Sequence, residues 1–191
     1  MREINELIDR VRQYRPRTLC FDYREAAVLV AVTRSSSPEI VFTRRSQALA
    51  THAGQVAFPG GKKEDIDKNL LATALRESRE EIGLHARDVE IVGPLSQVVS
   101  RFGILVTPYV GLIDPSLQLV ACESELESIF KVPVNFFLSE KPARVDLLSF
   151  KQYVLHVPCF QYQQYEIWGM SSIIMVDFLN VAYDAEISLF A

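Results

Sequence analysis

The sequence predicts a mixed α/β protein, an α/β sandwich, because a helical segment lies between two groups of strand-like segments. Residues 26–33 (AAVLVAVT) form an apolar run with the length of a buried strand. Residues 70–84 (LLATALRESREEIGL) repeat apolar and acidic side chains with helical spacing. At 191 residues, the chain is long enough to bury a sizeable core within one main domain.

An amphipathic N-terminal helix is predicted from apolar residues at helical spacing, Ile4, Leu7, Ile8 and Val11. We expect this helix to end before Pro16 and interpret its apolar side as core packing rather than a partner-binding surface. The strand at residues 26–33 is followed by a turn at 35–38 and a second strand at 40–43. This order predicts a β-hairpin.

The later segments predict further elements. Strands are predicted at residues 55–58, 89–95, 106–112, 153–157 and 165–168. Helices are predicted at residues 123–131 and from Gly169 onward, with Ser171 or Ser172 as the N-cap of the last one. Residues 101–103 predict a turn, and 135–138 another. The main domain is expected at residues 26–182, between an N-terminal helix with lead-in (1–25) and a C-terminal tail (183–191).

Composition excludes several classes of protein. Hydrophobic residues make up 49% and charged residues 23%, as in ordinary soluble domains. A net charge of −4 argues against general nucleic-acid binding, and no apolar run approaches the roughly 20 residues that span a bilayer. The cysteines show no paired spacing, which predicts a reduced, cytoplasmic setting; they are Cys20, Cys122 and Cys159.

Three carboxylates mark the predicted central helix. Glu77, Glu80 and Glu81 fall within a wedge of about 100° on one helix face. Such an acidic face is either solvated surface or a binding site for a hard cation such as Mg²⁺. A second stripe offers apolar residues for burial, namely Leu71, Leu75 and Ile82 with Ser78 among them. Gly83 is expected to end the helix in the left-handed conformation.

The residues upstream of this helix indicate a ligand site. Gly60 and Gly61 follow the apolar residues 56–59 and let the backbone approach a ligand closely. Basic side chains flank the two glycines, namely Arg44, Arg45, Lys62 and Lys63. Positive charge for phosphate and negative charge for metal would therefore lie side by side.

The loop and helix together resemble the signature of the Nudix hydrolase family. Residues 76–84 (RESREEIGL) match its second half, with Ser78 in place of a bulky aliphatic residue. In the first half, the spacing from Gly61 to Asp67 is kept with Asp for Glu, whereas the segment from Asp67 to Arg76 is one residue longer. The resemblance implies the Nudix fold, an α/β/α sandwich with a mixed central sheet and a catalytic loop-helix.

Residues 42–61 also resemble a motif of the coenzyme A pyrophosphatases within this family. Arg45, Ser46, His52 and Gly54 match that motif, whereas Ala50 stands where the family usually has Arg. The resemblance implies hydrolysis of coenzyme A to 3′,5′-ADP and 4′-phosphopantetheine with Mg²⁺ or Mn²⁺. It also implies substrate contacts from five residues, Arg45, Ser46, His52, Gly60 and Gly61.

The catalytic roles follow from the same resemblance. Glu77 and Glu81 are expected as principal metal ligands, with Glu80 either bridging through water or acting as a third ligand, and Arg76 is expected to orient the carboxylates. Glu81, Arg76 and one further carboxylate would act in catalysis. The candidates for that carboxylate are Glu123, Glu125 and Glu127, of which Glu125 is chosen.

Two other functions stay open at this point. A Nudix pyrophosphatase could act on another nucleoside diphosphate derivative, such as ADP-ribose or a dinucleotide, or on a nucleoside triphosphate. A Nudix fold could also serve as a binding domain without turnover, although three clustered like charges argue against this. The expected partner is a small-molecule nucleotide rather than nucleic acid or a membrane, and a homodimer is the oligomeric state considered.

Overall fold

This computed structural model describes residues 2–48, 51–150 and 153–190, in which strands and helices alternate along the chain. The helices are α1 (Arg2–Gln13), α2 (Leu70–Ile82), α3 (Val134–Ser139) and α4 (Gly169–Tyr183). The first strands are β1 (Arg24–Thr33), β2 (Glu39–Arg45), β3 (Val56–Ala57), β4 (Gly60–Lys62), β5 (Val89–Pro94) and β6 (Val98–Val99). The later strands are β7 (Ile104–Ile113), β8 (Leu126–Pro133), β9 (Arg144–Phe150), β10 (Tyr153–Tyr162) and β11 (Tyr165–Ile167).

The main sheet is mixed, as predicted. Its order is β3-β2-β1-β7-β5, with β4 also paired to β1, β6 to β7 and β8 to β2. The pairing of β1 with β7 is parallel along its whole length, from Arg24 with Ile104 to Thr33 with Ile113. The other pairings within this sheet are antiparallel, including the predicted hairpin of β1 and β2. Both faces of β1 are buried, because it lies inside a sheet that is covered on its two sides, which explains its continuous apolar sequence.

Helices cover both faces of the main sheet. Alternate residues of β1 point to opposite sides, so that Val30 packs with α1 and α4 while Leu29 packs with α2. The apolar side of α1 is buried in the first of these cores, which confirms core packing as its role. The predicted α/β/α sandwich is therefore confirmed.

The central helix has both predicted ends, but its buried face differs from the predicted stripe. The side chain of Asn69 caps α2 by accepting the Ala72 N–H at 2.9 Å, and Gly83 ends it with φ 68°. Leu71 and Leu75 are only half-buried. The buried residues are Thr73, Ala74, Ser78, Glu81 and Ile82. The sheet thus covers a face that includes one of the carboxylates, because the direction of docking is decided by tertiary packing.

Three local predictions were wrong. Residues 123–131 do not form a helix, because β8 pairs antiparallel with β2 from Leu126 onward. This pairing overrides the helical spacing of the apolar residues. Neither predicted serine caps α4: its N-cap is Trp168, while the Ser171 hydroxyl donates to the carbonyl of Val56. The short turn predicted at residues 135–138 is part of helix α3.

A second sheet completes the fold, with strand order β11-β10-β9. The predicted closing pair is confirmed by the antiparallel pairing of β10 with β11. Strand β9 was not predicted from the sequence. Among the described residues, no helix is long and apolar enough to cross a membrane.

Candidate active site

The first carboxylate of the site, Glu81, lies in the interface between α2 and the main sheet. Its side chain is 5% exposed, and its Oε2 accepts the backbone N–H of Gly60 at 3.0 Å. Burial raises the pKa of Glu81 to about 7; the Gly60 hydrogen bond and the charge of Arg45 oppose this shift, whereas the charges of Glu77 and Glu125 add to it. An anionic oxygen is therefore held in a position where added positive charge would stabilise it.

Gly60 and Gly61 are required in the loop because neighbouring protein atoms lie too close to their backbone for a side chain. A Cβ on Gly60 would lie 2.3 Å from the carbonyl oxygen of Ala27, which is too close for any side chain. A Cβ on Gly61 would lie 2.4 Å from the carboxyl group of Glu77. The backbone of β4 thus lies directly against the carboxylates of α2, as expected for a loop that admits no side chain.

Arg76 connects the loop to the carboxylates. Its Nε and Nη2 each donate to Asp67 at 2.9 Å in a bidentate pair, and Nη2 also donates to the carbonyl of Lys62 at 3.1 Å. Its Nη1 donates to Glu77 and to Glu80, both at 3.0 Å. The bidentate pair of Arg76 is thus made with Asp67, whereas Glu77 and Glu80 each receive a single hydrogen bond.

Asp67 pairs with Arg76 although the segment between these two residues is one residue longer than in the family signature. It is buried and accepts the Thr73 hydroxyl at 3.0 Å and the Glu64 N–H at 2.9 Å, besides Arg76. These partners, chiefly Arg76, hold the pKa of Asp67 well below its ordinary value. Sequence reasoning did not place Asp67 among the site residues, although its spacing from Gly61 was the available signal.

The three glutamates of α2 differ in burial. The side chain of Glu81 is 5% exposed, that of Glu77 17% and that of Glu80 60%. Burial raises the pKa of Glu77, and Arg76 opposes that shift. Within the described parts of the chain, no three His, Cys, Asp or Glu side chains are already grouped as metal ligands. The wedge predicted from helical spacing thus exists, but Glu80 points to Arg76 and solvent.

The donor chemistry of the site nevertheless fits a hard cation. Glu77 and Glu81 are carboxylate oxygen donors on adjacent turns, and burial raises the pKa of each, so that a bound cation would stabilise their charged forms. Such oxygen donors are the ligands that Mg²⁺ and Mn²⁺ prefer. Glu77 and Glu81 would hold the ion, and Glu80 would join them only after leaving Arg76.

Arg45 is the cation that faces the buried carboxylate. Its Nη1 lies 3.8 Å from Oε1 of Glu81, and its Nε is buried with no hydrogen-bond partner among the described residues. The pairing of β2 with β8 shifts register between Arg44 and Arg45. Arg44 instead pairs with Glu127 at 3.3 Å. The two neighbouring arginines therefore have different carboxylate partners, Glu127 for Arg44 and Glu81 for Arg45.

Glu125 lies in the turn before β8 rather than on a helix. Its backbone carbonyl accepts the N–H of Ser46 at 2.8 Å, which ties this turn to the end of β2 beside Arg45. The charge of Glu125 contributes to the raised pKa values of both Glu77 and Glu81. Among Glu123, Glu125 and Glu127, Glu125 is the residue whose charge adds to the raised pKa of both Glu77 and Glu81, whereas Glu127 pairs with Arg44.

The remaining predicted contact residues lie on the loop between β2 and β3. The Ser46 hydroxyl accepts the Ala48 N–H at 3.3 Å, and His52 makes a 2.7 Å hydrogen bond through Nδ1 with Gln55. His52 has φ 58°, a left-handed conformation that is costly for a residue other than glycine. Ala50, which stands where the coenzyme A motif has Arg, lies outside the described residues.

The comparisons with known proteins agree with this geometry. A family model described as "NUDIX domain" matches residues 23–145. The chain belongs to the Nudix family. A Nudix hydrolase NudL of Photorhabdus laumondii, itself uncharacterized, is 40% identical over 160 residues, which are 84% of this chain and 86% of the relative. A NudL protein of Cronobacter sakazakii is 41% identical over 151 residues, 78% of each chain.

Solved structures support the fold. A MutT/nudix family protein from Enterococcus faecalis has a TM-score of 0.54 and 16% identity over 88% of this chain and 65% of its own. A C. elegans Ap4A hydrolase has a TM-score of 0.50 and 14% identity over 60% of this chain and 83% of its own. These similarities show a Nudix fold, and the family membership makes the protein a Nudix hydrolase, a class of pyrophosphatases that generally uses divalent cations.

Proposed function

We propose that this Nudix hydrolase cleaves the pyrophosphate bond of coenzyme A or its derivatives, giving 3′,5′-ADP and 4′-phosphopantetheine. One observation carries the substrate assignment. Arg45, from the segment that resembles the coenzyme A motif, lies next to Glu81, and its buried Nε–H has no partner in the part of the chain that the structure describes. An oxygen of a substrate phosphate would satisfy that N–H and add a charge-assisted hydrogen bond.

The residues of α2 and the loop divide the work of catalysis. Glu77 and Glu81 bind the divalent cation, which supplies charge neutralisation of the pyrophosphate oxygens when it is present. Arg76 orients these carboxylates through its fixed position on Asp67. The absence of side chains at Gly60 and Gly61 lets the loop backbone pack closely, with Gly61 directly against the carboxyl group of Glu77.

Glu125 is proposed as the additional carboxylate that acts as general base on the attacking water. Its side chain is exposed, so that water reaches it, and its charge contributes to the raised pKa values of Glu77 and Glu81. A base must lie close to the water that attacks the phosphorus in line with the leaving group. The hydrogen bond from the Ser46 N–H to the Glu125 carbonyl supports this role, because it keeps the turn that carries Glu125 next to the residue that follows Arg45.

We also propose that the protein works in a reducing compartment of the cell. The three cysteines are free thiols, with Cys20 exposed and Cys159 buried. Free thiols are expected in a reducing, cytoplasmic compartment. The predicted homodimer stays a prediction, to be checked by light scattering of the purified protein.

The substrate is tested by comparing hydrolysis rates with Mg²⁺ or Mn²⁺. Coenzyme A, dephospho-coenzyme A, ADP-ribose, NADH and deoxynucleoside triphosphates are supplied at equal concentrations, and the products are separated chromatographically. We expect the highest kcat/KM with coenzyme A and release of 3′,5′-ADP. A clear preference for ADP-ribose or a triphosphate would refute the coenzyme A assignment and leave the Nudix hydrolase assignment intact.

A further inference from the structure

An aromatic surface that neither the sequence motifs nor the catalytic roles explain lies beside the candidate active site. Phe102, in the turn between β6 and β7, is 60% exposed, and Tyr23, just before β1, is 37% exposed. The rings of His52 and Phe102 meet edge to face with centroids 5.6 Å apart. We name the surface formed by Tyr23, His52 and Phe102 the aromatic rim.

The rim is connected directly to the proposed phosphate-binding arginine. The His52 carbonyl accepts the Gln55 N–H at 3.2 Å, and the Gln55 carbonyl accepts the Arg45 N–H at 3.0 Å. The Gly54 N–H in turn donates to the Arg45 carbonyl at 3.1 Å. The loop that carries His52 is thus fixed to the backbone of Arg45, whose guanidinium faces Glu81. A ligand with its phosphates at Arg45 would extend along this loop to reach Phe102.

The local backbone holds the rings in place at some conformational cost. His52 has φ 58° and Gly103 has φ 69°, both in the left-handed region. A Cβ on Gly103 would lie 3.8 Å from the ring of Tyr23, so the turn packs against that ring. Non-glycine residues in such conformations persist where the surrounding structure requires them, and they are frequent at ligand sites.

We propose that the aromatic rim, centred on Phe102, stacks the adenine base of the substrate. This inference rests on the proposed function, which supplies an adenine nucleotide as ligand. A nucleobase has a flat π-face that an exposed aromatic ring binds irrespective of base identity. The Arg101 guanidinium, 4.6 Å from the centroid of Phe102, adds a planar cation to the same platform. The pantetheine arm is a flexible chain with no flat face to match an exposed ring.

The two expected products make a direct binding test, because only one of them contains the base. Titrations followed by NMR measure the dissociation constants of 3′,5′-ADP and 4′-phosphopantetheine for the wild-type protein and for Phe102→Ala. We expect Phe102→Ala to weaken binding of 3′,5′-ADP by about five- to a hundredfold and to leave 4′-phosphopantetheine unchanged. Phe102→Trp should retain the affinity of the wild type for 3′,5′-ADP, whereas Phe102→Leu should not.

Phe190→Ala is the matched control, since Phe190 is also an exposed phenylalanine, at 52%, in the C-terminal segment. It should change neither dissociation constant. Equal affinities of wild type and Phe102→Ala for 3′,5′-ADP, no measurable binding of 3′,5′-ADP to the wild type, or a loss confined to 4′-phosphopantetheine would each overturn the inference. If coenzyme A is not hydrolysed while 3′,5′-ADP binding still depends on Phe102, the proposed substrate fails and the base-stacking site stands.

Discussion

On the α2 side of the candidate site, Arg76 is 16% exposed and donates hydrogen bonds to Asp67, Glu77 and Glu80. On the opposite side, Phe102 is 60% exposed, and the buried Nε of Arg45 has no partner among the described residues. The side chains around Arg76 are held by hydrogen bonds to one another, whereas Arg45 and the exposed ring of Phe102 have contacts still to make. Side chains that are fixed by one another are suited to holding reacting groups in one geometry. Side chains with unmet contacts are suited to recognising a ligand.

This difference has a consequence for substitutions. Changes on the α2 side should alter turnover or stability for every substrate, because they disturb the groups that perform the chemistry. Changes on the loop side should alter the choice and affinity of substrate and leave the maximal rate largely unchanged. Substitutions on the two sides should therefore separate effects on turnover and stability from effects on substrate affinity.

The largest effect is expected at the most buried carboxylate. Glu81→Gln should lower kcat by about a thousandfold or more with every substrate, because an anionic metal ligand is lost. The fold should survive, since a neutral amide relieves the charge buried in the interface with the sheet. Steady-state kinetics at saturating Mg²⁺ and thermal unfolding measure the two quantities. Glu80→Gln, at a 60% exposed side chain, is the matched control with a smaller expected loss. Near-native turnover of Glu81→Gln would refute the metal assignment.

The second prediction concerns the general base. Glu125→Gln should lower kcat by about 10²–10⁴-fold, because loss of a general base typically has this effect. Glu123→Gln and Glu127→Gln provide controls of the same chemistry, one exposed and one at the residue that pairs with Arg44. If the three variants show equal and small losses, the base lies elsewhere, for example among the α2 glutamates.

The third prediction concerns the stability of the loop-helix. Asp67→Asn should lower the free energy of unfolding at pH 7 by about 3 kcal/mol, because one partner of a buried ion pair is removed. Chemical denaturation measures this difference. Asp65→Asn, at an exposed residue of the same loop, should have little effect.

The stability difference between wild type and Asp67→Asn should also depend on pH. The pKa of Asp67 is lower in the folded protein than its ordinary value near 3.8. Its carboxylate therefore stabilises the folded state at pH values above about 3.8, and this contribution is lost as the pH falls through the pKa of the folded state. The stability difference between wild type and Asp67→Asn should therefore shrink below about pH 4. A difference that is constant from pH 7 to pH 3 would contradict the role given to the Asp67 charge.

The smallest effect is expected on the loop side. Arg45→Ala should raise KM for coenzyme A by about tenfold, because a charge-assisted phosphate contact is lost. Dephospho-coenzyme A, which lacks the 3′-phosphate, should be affected less. Arg44→Ala is the control, since Arg44 pairs with Glu127 instead. A larger loss with dephospho-coenzyme A than with coenzyme A would refute a contact between Arg45 and the 3′-phosphate.

Short-range patterns were sufficient to predict much of this structure. The apolar run of β1, the amphipathic α1, and the loop-helix with Gly83 at its end follow from local spacing and from the conformational preferences of single residues. The carboxylate wedge on α2 was predicted for the same reason, because residues three and four positions apart always share a helix face. The sequence by itself therefore determined the fold class and the family resemblance.

Tertiary structure decided which members of these patterns matter at the site. Helical spacing treats Glu77, Glu80 and Glu81 as equivalent, yet docking of α2 onto the sheet buries Glu81 and leaves Glu80 in solvent. Pairing with β2 made residues 126–133 a strand. The same packing gave Arg44 and Arg45 different partners, Glu127 and Glu81. Burial, strand pairing and the meeting of distant loops depend on residues far apart in the chain, and no local pattern records them.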